Sequence, residues 1–200
     1  MRTGAAGMIE FIRRRRGWFF AILLLGGLVA GWEHWRRYRE ASQDVPILAA
    51  ARRYGVDPAL VKAVVWRESG FNPRARGRAG EIGLMQMTEV AAEEWADAER
   101  VPFFLHEQLF DPAKNTLAGT WYLRKMIRRY AATDNPVVYA LSDYNAGRGN
   151  VLRWNKGAAS TNSAVFFQQM DFPGTRDYVH SILNRYARYQ RFFPPKEKRT

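Results

Sequence analysis

A chain of 200 residues with 47% hydrophobic, 14% aromatic and 25% charged residues holds one ordinary core plus a short extension, and its composition excludes wholesale disorder. Lys and Arg number 31 against 19 Asp and Glu, a net charge of +12, so the expected partner is anionic: nucleic acid, phospholipid or an acidic polymer. The absence of Cys excludes disulfides, thiolate metal sites and a lipid-modified amino-terminal cysteine.

At the amino terminus, residues 1–16 end in Arg13 to Arg16 and precede an uncharged apolar run, Gly17 to Trp32. The run predicts a membrane-anchor helix at 17–32, with Trp18, Trp32 and Trp35 at the two interfaces. It is slightly short for a ~30 Å hydrocarbon core at about 1.5 Å per helical residue. Five Arg lie before it and three soon after, at Arg36, Arg37 and Arg39, which favours a cytoplasmic 1–16 segment. The same run suits the apolar region of a cleaved secretory peptide, and on either reading the rest of the chain is exported. Residues 33–44 are charged and read as a stalk, the core is expected over 45–194, and 195–200 form a basic tail.

Helix signals dominate the core. Asp57-Pro58 opens a helix that runs to about Ser69, where Gly70 offers a stop, because Asp caps free backbone N–H groups and Pro suits the first helical position. The same device recurs at Asp111-Pro112 and Asn135-Pro136, and Thr175 is expected to cap a fourth helix. Leu117, Trp121 and Tyr122, then Val137, Leu141 and Tyr144, then Val179, Ile182, Leu183 and Tyr186 have helical spacing, and no long alternating strand pattern occurs. The fold class is therefore all-α, with loops at 70–83, 146–149 and 155–163 available to carry a site.

Glu68 follows Val61, Val64 and Val65 by seven, four and three residues and shares their helix face. A carboxyl group at the end of an apolar stripe is partly desolvated, so its neutral form is favoured and it is able to donate a proton. A capping or Arg67-paired Glu fits the same spacing. No phosphate-cradling loop is present, and His34, His106 and His180 are too scattered to suggest a zinc site.

Four blocks follow in order: Glu68-Ser69-Gly70-Phe71-Asn72-Pro73, Gly83-Leu84-Met85-Gln86-Met87, Tyr144-Asn145-Ala146-Gly147 and Arg176-Asp177-Tyr178-Val179. Leu109-Phe110-Asp111-Pro112 and Asn115 lie between the second and third. Over about 45–192 this resembles the lytic transglycosylase SLT-type domain, a lysozyme-like fold related to goose-type lysozyme. The resemblance implies a peptidoglycan lytic transglycosylase that cuts the MurNAc-GlcNAc bond and leaves 1,6-anhydro-MurNAc ends, with Glu68 as acid and then base. It places Ser69 beside Glu68, Met85 and Gln86 along the sugar groove, Tyr144 and Asn145 against the saccharide or Glu68, and Tyr178 on the carboxyl group. Plain structural readings stand beside these: Met85 and Tyr178 in the core, Gln86 as a loop brace, Asn145 and Gly147 as a helix stop.

The implied scheme needs no cofactor and no metal. Its partner is the glycan strand of peptidoglycan, with the inner membrane as a second partner through the amino-terminal helix. The catalytic domain is then expected in the periplasm, tethered by a single pass or soluble if the leader is removed. Nucleic acid is not expected, because the basic residues are dispersed and carry no reading motif.

The chain departs from the family pattern at several positions. No Pro soon follows the Gly83-Leu84-Met85-Gln86 block, Gly77 stands where a Ser is common, and Glu81 and Asp143 replace small residues. A second acid at the cleavage point would recruit water and give a lysozyme-type muramidase, and loss of the acid would leave a silent peptidoglycan-binding module.

Overall fold

The computed structural model describes residues 4–194, with side chains described for Trp18 and for 20–194. Residues 1–3, the side chains of Arg13 to Arg16 and the expected tail 195–200 lie outside what is described. The chain divides into two compact units, Met1–Ala41 and Ser42–Thr200.

The described residues of the first unit belong to one helix, α1 (Gly4–Ser42), which does not break where the apolar run ends. The expected stalk is therefore helical as far as Ser42, with Arg36 on Glu33 at 2.8 Å and the Arg39 guanidinium 4.7 Å above the Trp35 ring. Leu23, Leu24, Leu25, Leu28 and Val29 are all exposed. The membrane-anchor helix expected at 17–32 is not supported: among the described residues no helix is long and apolar enough to cross a membrane. Gly26, Gly27 and Gly31 dilute the apolar stretch, and charge returns at Glu33.

The second unit contains α2 (Asp44–Tyr54), α3 (Pro58–Ser69), α4 (Glu89–Ala98), α5 (Pro112–Arg129), α6 (Pro136–Ala146), α7 (Arg148–Trp154), α8 (Ser163–Gln169) and α9 (Pro173–Tyr189). Short 3-10 turns fill His106–Phe110 and Gly157–Ser160. Among the described residues there is no β-strand, only isolated bridges joining Ile82 to Arg76 and to Met87, so the fold is all-α.

Capping explains most of the boundaries. Asp57 Oδ1 accepts from the Ala59 N–H at 2.8 Å, and Asp111 Oδ1 from the Lys114 N–H at 2.8 Å, each beside a Pro at the first helical position. Thr88 caps α4 by accepting from the Ala91 N–H, so this helix starts without the Pro that the family pattern has. Two expected caps are corrected. Asn135 makes no side-chain cap to α6, whose opening rests on Pro136. Thr175 lies inside α9, and its hydroxyl donates sideways to Asn145 Oδ1 at 2.9 Å.

The centre of the unit is α3. Ala59, Leu60, Val61, Ala63, Val64 and Val65 are all at most 2% exposed, so this helix is apolar on every side and enclosed. It packs on α9 and α2, α2 packs on α5, and α6 joins α5 to α9. Leu84 and Met85 belong to this core, while Ile82 and Met87 join Trp95, Leu109 and Ala118 in a second cluster under α4.

Lys62 is the charged exception within the enclosed stretch 59–65 of α3. Its ammonium reaches Asp44 Oδ1 at 2.5 Å and lies 4.2 Å from the centre of the Phe193 ring, tying α2, α3 and the carboxy-terminal segment together. Removing the ammonium deletes both the ion pair with Asp44 and the ring contact with Phe193 at a side chain that is 6% exposed. Lys62→Ala is expected to cost about 3 kcal/mol, read as a lowered denaturation midpoint in urea.

Candidate active site

Glu68 occupies the last turn of α3, and burial is the largest influence on it. Its carboxyl is pushed up to about 7 from an ordinary 4.5, chiefly by loss of water and slightly by the charge of Glu81. The Tyr178 hydroxyl donates to Glu68 Oε1 at 2.5 Å and, with the nearby Arg67 charge, pulls the other way. Tyr178 itself is buried on α9, with the Arg67 guanidinium 5.5 Å above its ring. The α3–α9 contact thus delivers both the acid and the hydroxyl that orients it.

Facing this pair is a tight turn at residues 83–87. Gly83 adopts φ +80°, and a Cβ there would stand 2.1 Å from Asn115 Nδ2, so the close approach requires glycine. Gln86 adopts φ +46°, an uncommon conformation for a residue with a side chain, held by its N–H and its Nε2 both donating to the Gly83 carbonyl. Side chains from several elements clamp the turn. The Tyr144 hydroxyl donates to the Met85 carbonyl at 2.7 Å, the Ser69 hydroxyl to the Leu84 carbonyl at 2.8 Å, and His106 Nε2 lies 2.9 Å from the Met87 carbonyl.

The expected site residues separate into groups. Glu68 and Tyr178 are in direct contact, and Tyr144 is close enough for the Glu68 charge to add to the burial that holds its phenol well above the usual range. Gln86 is partly exposed on the turn and Asn145 is exposed at the end of α6, bonded to Thr175 of α9. Ser69 spends its hydroxyl on the Val65 and Leu84 carbonyls, a brace within the frame. Met85 does not line an open groove. Its side chain is fully buried, and a Cβ on Gly119 of α5 would come within 2.5 Å of its sulfur.

Of the two unexpected acids, Asp143 is taken. Its Oδ2 accepts from Arg129 Nη1 at 2.5 Å and from the Tyr130 hydroxyl at 2.7 Å, with the side chain 2% exposed. Glu81 remains on the loop beside the turn, its Oε2 accepting from the Ala79 N–H at 2.9 Å. Among the described residues no three His, Asp or Glu side chains gather as a metal site would require.

Asn115 has the largest role that sequence reasoning left unassigned. Fully buried on α5, it donates to the Ile82 and Leu109 carbonyls at 3.0 and 2.9 Å and accepts from the Met85 N–H at 2.7 Å. A polar residue in the midst of the apolar face of α5, at a position that also belongs to the motif series, is the signal that marks it.

Against known proteins, residues 45–167 match the transglycosylase SLT domain model. A membrane-bound lytic murein transglycosylase F from Desulfosudis oleivorans is 36% identical over 164 residues, covering 78% of this chain and 34% of that protein. The soluble lytic murein transglycosylase of Salmonella typhimurium is 30% identical over 83% of this chain and 26% of its own length. Among solved structures, the lytic transglycosylase Slt of Pseudomonas aeruginosa, an inactive Glu-to-Gln mutant, superposes with a TM-score of 0.67 at 27% identity, over 76% of this chain and 24% of that one. The 70-kDa soluble lytic transglycosylase in complex with bulgecin A gives 0.70 at 25% identity, over 82% and 26%. The chain belongs to the SLT-domain transglycosylase family, with its all-α lysozyme-like fold. It spans about a third of the length of the first of these relatives and about a quarter of the second.

Asn115→Ala leaves the buried Met85 N–H and the Leu109 carbonyl without this partner, while the Ile82 carbonyl keeps the Met87 N–H. The expected cost is about 3 kcal/mol, together with faster amide hydrogen exchange at Met85.

Proposed function

We propose that this protein is a peptidoglycan lytic transglycosylase in which Glu68 alone serves as acid and then base. One observation carries the reading: a buried carboxyl group, protonated to about pH 7, with a tyrosine hydroxyl fixed on one of its oxygens. In the proposed reaction, neutral Glu68 gives its proton to the oxygen joining N-acetylmuramic acid to N-acetylglucosamine, and that carbon–oxygen bond breaks. The Glu68 carboxylate then takes the proton from the muramic C6 hydroxyl as that oxygen bonds to C1, closing a 1,6-anhydro ring. Tyr178 keeps a hydrogen bond on the carboxyl group through both steps, which favours the ionised form once the proton has left. Gln86 and Asn145 are proposed to hold the saccharide, with Tyr144, Ser69 and the Met85 backbone fixing the turn that carries Gln86. The relatives' names and the inactive Glu-to-Gln mutant of the Pseudomonas protein support this reading. The pairing of Asp143 with Arg129 supports the single-acid form, since it occupies one candidate for a second carboxylate.

The proposal includes a location. The run of exposed leucines on α1 is poorly suited to water, and Trp18 and Trp32 flank it, which supports attachment to the inner membrane with the catalytic unit in the periplasm. On cell fractionation the chain should sediment with the membranes. A shortened chain in the periplasmic fraction would point to a removed leader.

Digestion of purified sacculi followed by mass analysis tests substrate and reaction together. Products lighter by one water than the hydrolysed muropeptides are expected, and hydrolysed products would refute the single-acid mechanism. Glu68→Gln should lower the rate of release about a thousandfold or more, because the amide cannot exchange the proton.

The same substitution has a stability signature whose sign follows from linkage. Folded Glu68 holds its proton to about pH 7, whereas unfolded it ionises near 4.5, so folding takes up a proton between these values. Wild-type stability therefore falls as pH rises through that window. Glu68→Gln should match wild type near pH 4 and exceed it by roughly 3 kcal/mol above about pH 8, measured by chemical denaturation at both pH values.

A further inference from the structure

We infer that Glu81 is a positioning residue of the Glu68 site, its carboxylate seated over Gly77 in the space that a side chain at residue 77 would otherwise fill. The inference deepens the proposed function, since it rests on Glu68 being the acid and base.

The loop from 75 to 83 folds back on itself, with the Gly77 N–H donating to the Glu81 carbonyl at 2.7 Å and the Gly83 N–H to the Ala75 carbonyl at 2.9 Å. This return brings the Glu81 side chain across the bare backbone of Gly77. A Cβ at residue 77 would stand 2.1 Å from Glu81 Oε2 and 2.9 Å from Gln86 Oε1, distances that no real methyl group tolerates. The carboxylate and the Gln86 amide therefore share one space beside the turn, and a side chain at 77 would displace these two flexible ends from it. The N–H of Ala79 holds Glu81 Oε2 from the other side at 2.9 Å, so the carboxylate is fixed without an Arg or Lys hydrogen bond to its oxygens in the described structure.

Its negative charge reaches Glu68. Around that carboxyl group, the Arg67 charge and the Tyr178 hydrogen bond favour ionisation, Glu81 opposes it, and Tyr144 is a neutral phenol. Glu81 thus offsets Arg67 and helps keep the proton on Glu68 until substrate arrives. A side chain that only filled space above Gly77 would have no such effect.

The test is made on the full chain in detergent, with wild type, Glu81→Gln and Gly77→Ser. The Glu68 carboxyl is titrated by carbon-13 NMR, and glycan release from sacculi is followed from about pH 4 to pH 9. In Glu81→Gln the Glu68 midpoint should fall by about half a pH unit, as expected for removal of one charge across a partly solvated groove, and the alkaline limb of kcat should move with it. The rate at the acid optimum should stay within about twofold of wild type. Gly77→Ser, which displaces the carboxylate, should move the midpoint the same way. An unmoved midpoint in Glu81→Gln with native circular dichroism overturns the inference. So does loss of turnover at every pH while the midpoint is unchanged, which would make Glu81 a direct participant. A shifted midpoint in a chain that cuts no sacculi would leave the inference standing and refute the proposed reaction instead.

Discussion

The site depends on taking one carboxyl group out of water at the end of a helix that is enclosed over residues 59–65. Six apolar residues of α3 are enclosed before the chain reaches Glu68, so the acid emerges from the core and not from the surface. Burial disfavours the charged form, which is why Glu68 is held near neutrality in spite of an adjacent Arg and a hydroxyl that both favour ionisation. The contact that encloses α3 on one side is α9, and α9 also supplies Tyr178. Core packing and the orientation of the acid are therefore one interaction. A change that loosened α3 from α9 would admit water to the carboxyl group and release its hydrogen bond together.

The second structural element of the site is a turn with little regular structure of its own. Residues 83–87 make a single bridge between Ile82 and Met87, and Gln86 adopts a conformation that costs roughly 1 kcal/mol or more for a non-glycine residue. Such a segment keeps one shape only when its surroundings over-determine it. Asn115 from α5, Tyr144 from α6, Ser69 from α3 and His106 from a 3-10 turn each bond to its backbone or to residues flanking it. Met85 adds an apolar anchor beneath, packed on the bare backbone of Gly119. The neighbouring side chains of Met85 and Gln86 thus have different tasks: Met85 roots the turn, and Gln86 is partly exposed upon it.

Signals confined to neighbouring residues were legible from sequence. Asp57-Pro58 and Asp111-Pro112 mark their helices because the cap and the helix it serves are adjacent in the chain, and Glu68 stands out because three valines precede it at helical spacing. Asn135 and Thr175 look alike to a sequence reader, but neither side chain caps its helix. Asn135 leaves its helix to Pro136, and Thr175 turns to Asn145, thirty residues away in sequence. The short helices α7 and α8, seven residues each, carry too few turns for an apolar period to register. Met85 was assigned to the groove by resemblance, whereas the opposing plain reading, a core thioether, describes where its side chain lies. Asn115 was visible as part of the motif series, but its task depends on carbonyls six and 33 residues away.

Glu81 and Asp143 show why an acid near the proposed catalytic carboxyl cannot be judged by its place in a motif. Both replace small residues, and either would suffice to recruit water if it faced the scissile bond. Asp143 lies in the last turn of α6 against α5, where Arg129 and Tyr130 take the same oxygen, and removing those partners would strand a buried carboxylate. Its charge is thereby spent on holding α5 to α6. Glu81 has no such cation in hydrogen-bond contact in the described structure, and its carboxylate has an N–H and the open backbone of Gly77 for company. A charge so placed acts through space: it raises the cost of ionising Glu68 without needing to touch the sugar. A second acid therefore need not imply a second catalytic step, because the same negative charge that would activate water at one distance keeps the first acid protonated at another.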